Sequence, residues 1–275
     1  MMTHRRRLII VAAIIFLVTL GFSGIYLWQN LVFTGETRAI PGTPHHFLIQ
    51  AGVSENDLAL VGEGIRLADL YFTAQLAATL SNPIEVRMAR TTPCVPFEPL
   101  GSGSTAVADK EKLCVDTLSY AWTKIVPQDR LVGLSIIAHE HFHNLQGQTG
   151  CLPGPNDHEY AWWVEGSATY IGWHTLVEAG LMTEAQVMDV MHKWGGFSSD
   201  LGTLASYEKH ISGDPAYALA YRAIDELVQR TGSPALLYQF CQIVGQGQNW
   251  RMAFEAAYGI SVADFYTQFE QSRLN

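Results

Sequence analysis

The stretch Ser135–Asn144 contains His139-Glu140-x-x-His143, and this spacing constrains the fold more than any other feature of the chain. Residues four apart share one face of an α-helix, one turn apart. Two imidazoles placed that way can hold one tetrahedral metal ion, and the glutamate between them can reach a water at that ion as general base. Asp129 can cap a helix that starts at Arg130 and runs to about Gln148, with Gly150 just past its end. Ile136 and Ile137 give that helix an apolar side to bury. The pattern arises by chance in roughly one chain in a hundred of this length, so it needs a third ligand to carry weight.

The next helix, from about His158 to Ala179, offers one in Trp162-Trp163-Val164-Glu165-Gly166-Ser167-Ala168-Thr169-Tyr170. A carboxylate in so apolar a helix is expensive unless it is paired or coordinated. Taken alone, Glu165 reads as a core ion pair or a solvent-facing residue. After a His-Glu-x-x-His helix it reads as the third ligand, and two histidines, one carboxylate and an open position make a catalytic zinc site. The substitutes for Glu165 are His158, Glu159 and His174. His141 lies about 200° around the helix from His139 and is expected on the surface or against a ligand.

These residues resemble the gluzincin superfamily of zinc metallopeptidases, in its broad peptidase-MA-like group. There the motif helix is followed by Trp-x-x-Glu-Gly-x-Ala-x-Tyr, and this chain has Trp162, Glu165, Gly166, Ala168 and Tyr170 in those places. The resemblance runs from about Leu113 to the C-terminus. It implies Zn²⁺ held by His139, His143 and Glu165, with Glu140 as general base. It further implies Tyr217 as donor to the oxyanion, with Tyr221 second, from Tyr217-Ala218-Leu219-Ala220-Tyr221. Gln146 and Thr149 stand where metzincins need Gly and His, which excludes that clan. The Gly-x-Met-Glu-Asn element that holds a substrate amino terminus in aminopeptidase-N-like enzymes is absent. Thr169 stands where thermolysin-like enzymes carry an Asp that orients the first histidine, so another group is expected in that role.

The remaining pattern predicts an α+β, zincin-like fold. A small N-terminal sheet comes first, then the motif helix, then an all-helical remainder. Strands are expected at Phe47–Ile49, Ile84–Met88 and Leu113–Val115, and a long helix from Ser54-x-x-Asp57 to about Leu80. Thr91–Lys112 reads as a loop, and residues 195–213 as irregular. Further helices are expected at about 183–194, 215–230, 234–244, 250–258 and 262–273.

Residues 8–28 are almost wholly apolar, and as a helix they would span about 32 Å, enough for a bilayer core. Arg5, Arg6 and Arg7 precede them, which keeps residues 1–7 in the cytoplasm and sends the rest out. The alternative is a signal peptide cleaved near Ser23. Residues 29–45 then read as a linker and 46–275 as the catalytic domain. Cys94, Cys114, Cys151 and Cys241 are an even set in an exported chain, with Cys94–Cys114 and Cys151–Cys241 the favoured pairs. A net charge of −9 argues against nucleic acid as a partner.

The leading expectation is a membrane-anchored, extracytoplasmic zinc peptidase acting inside peptide or protein chains. The alternatives are a non-catalytic metal-binding module and a zinc hydrolase of other substrates. Glu140 speaks against the module, because a structural metal site needs no general base.

Overall fold

The computed structural model describes residues 33, 35–91, 94, 105–152 and 159–274. The expected anchor at 8–28, residues 95–104 of the expected loop and His158 lie outside the described residues. Among the described residues no helix is long and apolar enough to cross a membrane.

Among the described residues five strands form one sheet: β1 (Glu36–Ala39), β2 (His46–Ile49), β3 (Glu85–Ala89), β4 (Ala106–Ala108) and β5 (Lys112–Asp116). Their order is β1-β2-β3-β5-β4, parallel in the middle and antiparallel at both edges. The parallel β2–β3 pair needs a crossover, and helix α1 (Glu55–Gln75) supplies it. Ser54 caps α1 and exchanges hydrogen bonds with Asp57 in a capping box. Leu58, Val61, Ile65, Ala68 and Phe72 recur at helical spacing and are buried.

The expected linker is only partly a linker. Its second half holds β1 and the buried His45, because β1 pairs with β2 along the sheet edge. The expected loop 91–112 likewise contains β4, which three residues of Ala-Val-Ala did not announce. A π-helical turn at Ala121–Ile125 also escaped the periodicity.

Helix α2 (Arg130–Thr149) carries the motif. The Asp129 side chain accepts from Leu131 N–H, and Gly150 ends the helix at φ 89°. The remainder is helical: α3 (Ala161–Glu178), α4 (Glu184–Lys193), α5 (Asp214–Thr231), α6 (Ala235–Gly245), α7 (Trp250–Tyr258) and α8 (Val262–Leu274). A single 3₁₀ turn, Leu204–Tyr207, breaks the irregular stretch before α5.

Helix α3 is buried nearly all round, as an apolar helix at the centre of a domain must be. It lies wedged between α2 and α5. A Cβ at Gly172 would stand 2.6 Å from the Ser135 carbonyl oxygen, and one at Gly166 would stand 2.7 Å from that of Ala220. Glycine at 166 and 172 thus sets how closely α3 approaches both neighbours. Cys151 joins Cys241, tying the end of α2 to α6, and Cys94 joins Cys114 on β5. Two disulfides fit an oxidising, extracytoplasmic compartment.

Candidate metal centre

Helices α2 and α3 bring three donor atoms together. His139 Nε2 lies 3.1 Å from His143 Nε2. Glu165 Oε2 lies 3.3 Å from the first and 3.4 Å from the second. A tetrahedral zinc ion with bonds of about 2.0–2.1 Å separates its ligands by about 3.3 Å. The donor triangle therefore has the size such an ion requires.

Hydrogen bonds fix which nitrogens are free. Gln146 is fully buried, and its Nε2 donates to Val164 O and Ser167 Oγ. Its Oε1 therefore faces His143 Nδ1, at 2.6 Å, and accepts that N–H. The His143 Nε2 lone pair is left pointing at Glu165. Thr169 Oγ1 donates to the Glu165 carbonyl and lies 3.4 Å from His139 Nδ1, which it can receive as acceptor. This corrects the expectation that another group would orient His139. Thr169 stands there itself, one turn after Glu165, as the weaker neutral counterpart of a carboxylate.

Electrostatics follows the same geometry. Burial alone would raise Glu165, but the charge of His143 and hydrogen bonds from both imidazoles hold it below the usual carboxylate range. Burial alone would lower His143, but the Glu165 carboxylate outweighs it and lifts the ring to about 9. His139 is lowered, chiefly by burial. A divalent cation would displace the shared proton and satisfy all three groups. Burial pushes the carboxyl of Glu140 up to about 8. A raised carboxylate is a better proton acceptor near neutral pH.

Glu140, His139 and Tyr217 line a cleft of about 380 Å³. The Tyr217 ring, which carries a phenolic hydroxyl, lies 6.2 Å from that of His139. Burial, then the anions of Glu165 and Glu140, raises that hydroxyl well above its ordinary value. Tyr221 lies elsewhere: its hydroxyl is 2.8 Å from His174 Nε2 in the interior. His174 also faces Glu184, and Glu159 accepts from Trp250 Nε1, so neither joins the triangle. Trp162 is fully buried and donates to Tyr266, while Trp173 and Trp194 line the cleft.

A second group, His45, Asp69 and His141, also places three donor atoms close together. Its hydrogen bonds argue against a metal. Ile84 N–H donates to His45 Nδ1, so the ring's proton sits on Nε2 and leaves no lone pair there. His141 is fully buried rather than on the surface, with Nε2 2.9 Å from Asp69 and Nδ1 3.2 Å from Asn144 Oδ1. Burial would raise Asp69, but these two histidines hold its carboxyl well below the usual range. Asn144 Nδ2 in turn donates to Lys112 O. The network ties α2 to α1 and to the β4–β5 hairpin, whose Ala106 lines the cleft. Nothing in the local pattern marks Gln146 or Asn144 as supports, because polar residues on an amphipathic helix ordinarily face water.

No family model and no curated protein sequence matches the chain. Solved structures do. A variant of a two-domain M1 zinc metallopeptidase superposes with a TM-score of 0.50 at 16% identity, covering 86% of this chain and 50% of that one. The fold is that of a zinc metallopeptidase domain. An M1 zinc metallopeptidase from Deinococcus radiodurans matches at a TM-score of 0.48 and 17% identity, again over 86% of this chain and 50% of the other. The chain thus spans about half the length of these metallopeptidases.

Proposed function

We propose that the chain is a zinc-dependent peptidase acting inside peptide or protein chains. The observation that carries this reading is the donor triangle of His139, His143 and Glu165, with Glu140 beside it on the cleft wall. These three residues would hold Zn²⁺. When bound, zinc acidifies water and polarises a carbonyl as a Lewis acid. Gln146 and Thr169 orient the two imidazoles. Glu140 takes the proton from the attacking water and delivers it to the departing amine. Tyr217 donates its hydroxyl hydrogen to the oxyanion that develops on the scissile carbonyl oxygen. The low proton affinity of Glu165 and the high one of Glu140 suit a ligand and a base respectively.

The reading extends to the N-terminus. Residues 8–28, preceded by three arginines, would anchor the domain on the outer side of a membrane, and the disulfides support export. The test of the chemistry is a pair of variants. Glu140→Gln should keep close to one zinc per chain and lose nearly all peptide hydrolysis. Glu165→Ala should lose both. Cleavage by Glu140→Gln at the wild-type rate would remove the assigned mechanism.

A further inference from the structure

One part of the cleft wall is held from outside the cleft. Trp194 follows the last residue of α4, is half-exposed, and lines the cleft with His139, Glu140 and Tyr217. Trp122, Trp162, Trp163 and Trp250 each donate their indole N–H to a protein acceptor. Among the described residues Trp194 has no such acceptor. Its N–H and the exposed part of its ring are therefore available to a bound chain. Helix α4 gives it little anchorage, since Val187 and Met191 are the buried residues of that helix.

The anchorage comes from the turn that follows. Gly195 reverses the chain at φ 82°. A Cβ there would rest 3.6 Å from Pro215 Cγ, and one at Gly196 would stand 2.5 Å from Ala218 Cβ, so the turn lies directly on α5. Pro215, Ala218 and Arg222 stand at i, i+3 and i+7, on one face of that helix. Arg222 closes the contact. Its Nη1 donates to the Gly196 carbonyl at 3.2 Å, and its guanidinium lies 4.0 Å from the centroid of the Phe197 ring. The Phe197 ring in turn stacks on His192 of α4 at 3.7 Å. Arg222 is half-buried, yet it forms no salt bridge among the described residues, and Asp225 and Glu226 of its own helix act on it from longer range. A planar cation held by a carbonyl and a ring fixes geometry. The geometry fixed here is that of Trp194 relative to Tyr217, which precedes Ala218 on α5.

We infer that Arg222 is a positioning residue: by docking the turn at Gly196 and Phe197 onto α5, it places Trp194 where the cleft presents it to substrate. The inference rests on the peptidase reading for its substrate, but the placement of Trp194 can be observed without turnover.

The experiment uses the zinc-loaded full chain as wild type, Arg222→Met, Trp194→Ala and the double variant. Steady-state kinetics are measured on one fluorogenic decapeptide chosen from a random pool with the wild-type chain. Each single substitution should raise KM about tenfold and leave kcat within about twofold, because the contact is made in ground state and transition state alike. The double variant should be no worse than Trp194→Ala, because Arg222 acts through the indole. A second measurement is the ¹⁹F spectrum of the chain labelled with 5-fluorotryptophan, in which Trp194→Ala identifies the Trp194 resonance. That resonance should shift in Arg222→Met while the other tryptophan resonances stay. If those move too, Arg222→Lys, which keeps the charge and loses the planar stack, takes the place of Arg222→Met. The inference is overturned if the two KM effects multiply, if kcat falls in place of a rise in KM, or if the Trp194 resonance does not move. Failure of the wild-type chain to cleave any peptide of the pool removes the peptidase reading, and the spectrum still decides whether Arg222 places Trp194.

Discussion

Gln146→Met removes one acceptor from the centre of the protein and keeps nearly the same volume. The Gln146 Oε1 is the partner of His143 Nδ1 at 2.6 Å. Methionine leaves that buried N–H unsatisfied. The other two contacts matter less, because Ser167 Oγ donates to the Val164 carbonyl and keeps it paired. One orphaned buried donor costs about 1–3 kcal/mol of stability. The larger effect falls on the metal. Losing the partner that fixes a histidine ligand's tautomer and angle typically lowers affinity 10–100-fold, or about 1.4–2.8 kcal/mol. Chelator competition measures the zinc affinity, and urea unfolding of the metal-free chain measures the stability. Gln146→Glu is the matched control. It restores an acceptor for Nδ1–H, so its zinc affinity should lie well above that of Gln146→Met. If folded Gln146→Met binds zinc as tightly as wild type, Gln146 does not orient His143 and the tautomer argument fails.

Three further outcomes follow from the same geometry. Tyr217→Phe should reduce turnover about a hundredfold while zinc content stays near one per chain, read by steady-state kinetics and metal analysis; an unchanged rate would exclude its hydroxyl as the oxyanion donor. Burial lowers His174 from 6.5 to about 4, so between those values the unfolded chain takes up a proton that the native chain refuses, and native stability falls as pH drops. His174→Gln should abolish roughly 2 kcal/mol of the stability lost between about pH 7 and pH 5, measured as the wild-type-minus-variant difference in urea unfolding; equal pH slopes would refute it. Replacing both Cys151 and Cys241 by alanine opens a link across 90 residues and should lower stability by about 4.6 kcal/mol in the chain-entropy account, seen as a depressed Tm.

Much of this protein is written in local pattern. The capping box at Ser54, the Asp129 and Gly150 limits of α2 and the Thr183 start of α4 lie where side-chain chemistry puts them, because caps and periodicity act within one or two turns. The residues of the triangle were legible too. Two ligands lie one turn apart, and the third is a carboxylate that an apolar helix would otherwise expel. Distance in sequence hid the rest. β1 and β4 are short edge strands whose pairing depends on partners elsewhere in the chain, and their own composition says little. Gln146, Asn144 and His141 look like the polar side of a surface helix. They are buried because α1 and the β4–β5 hairpin close over His141 and Asn144, and α3 closes over Gln146 on the other side, each offering partners for the polar atoms. Tyr217 and Tyr221 are equivalent aromatic positions along one helix, one turn apart. Only the packing of α5 on α3 turned one hydroxyl to the cleft and the other to His174, since a helix face acquires an environment from its neighbours and not from its own sequence.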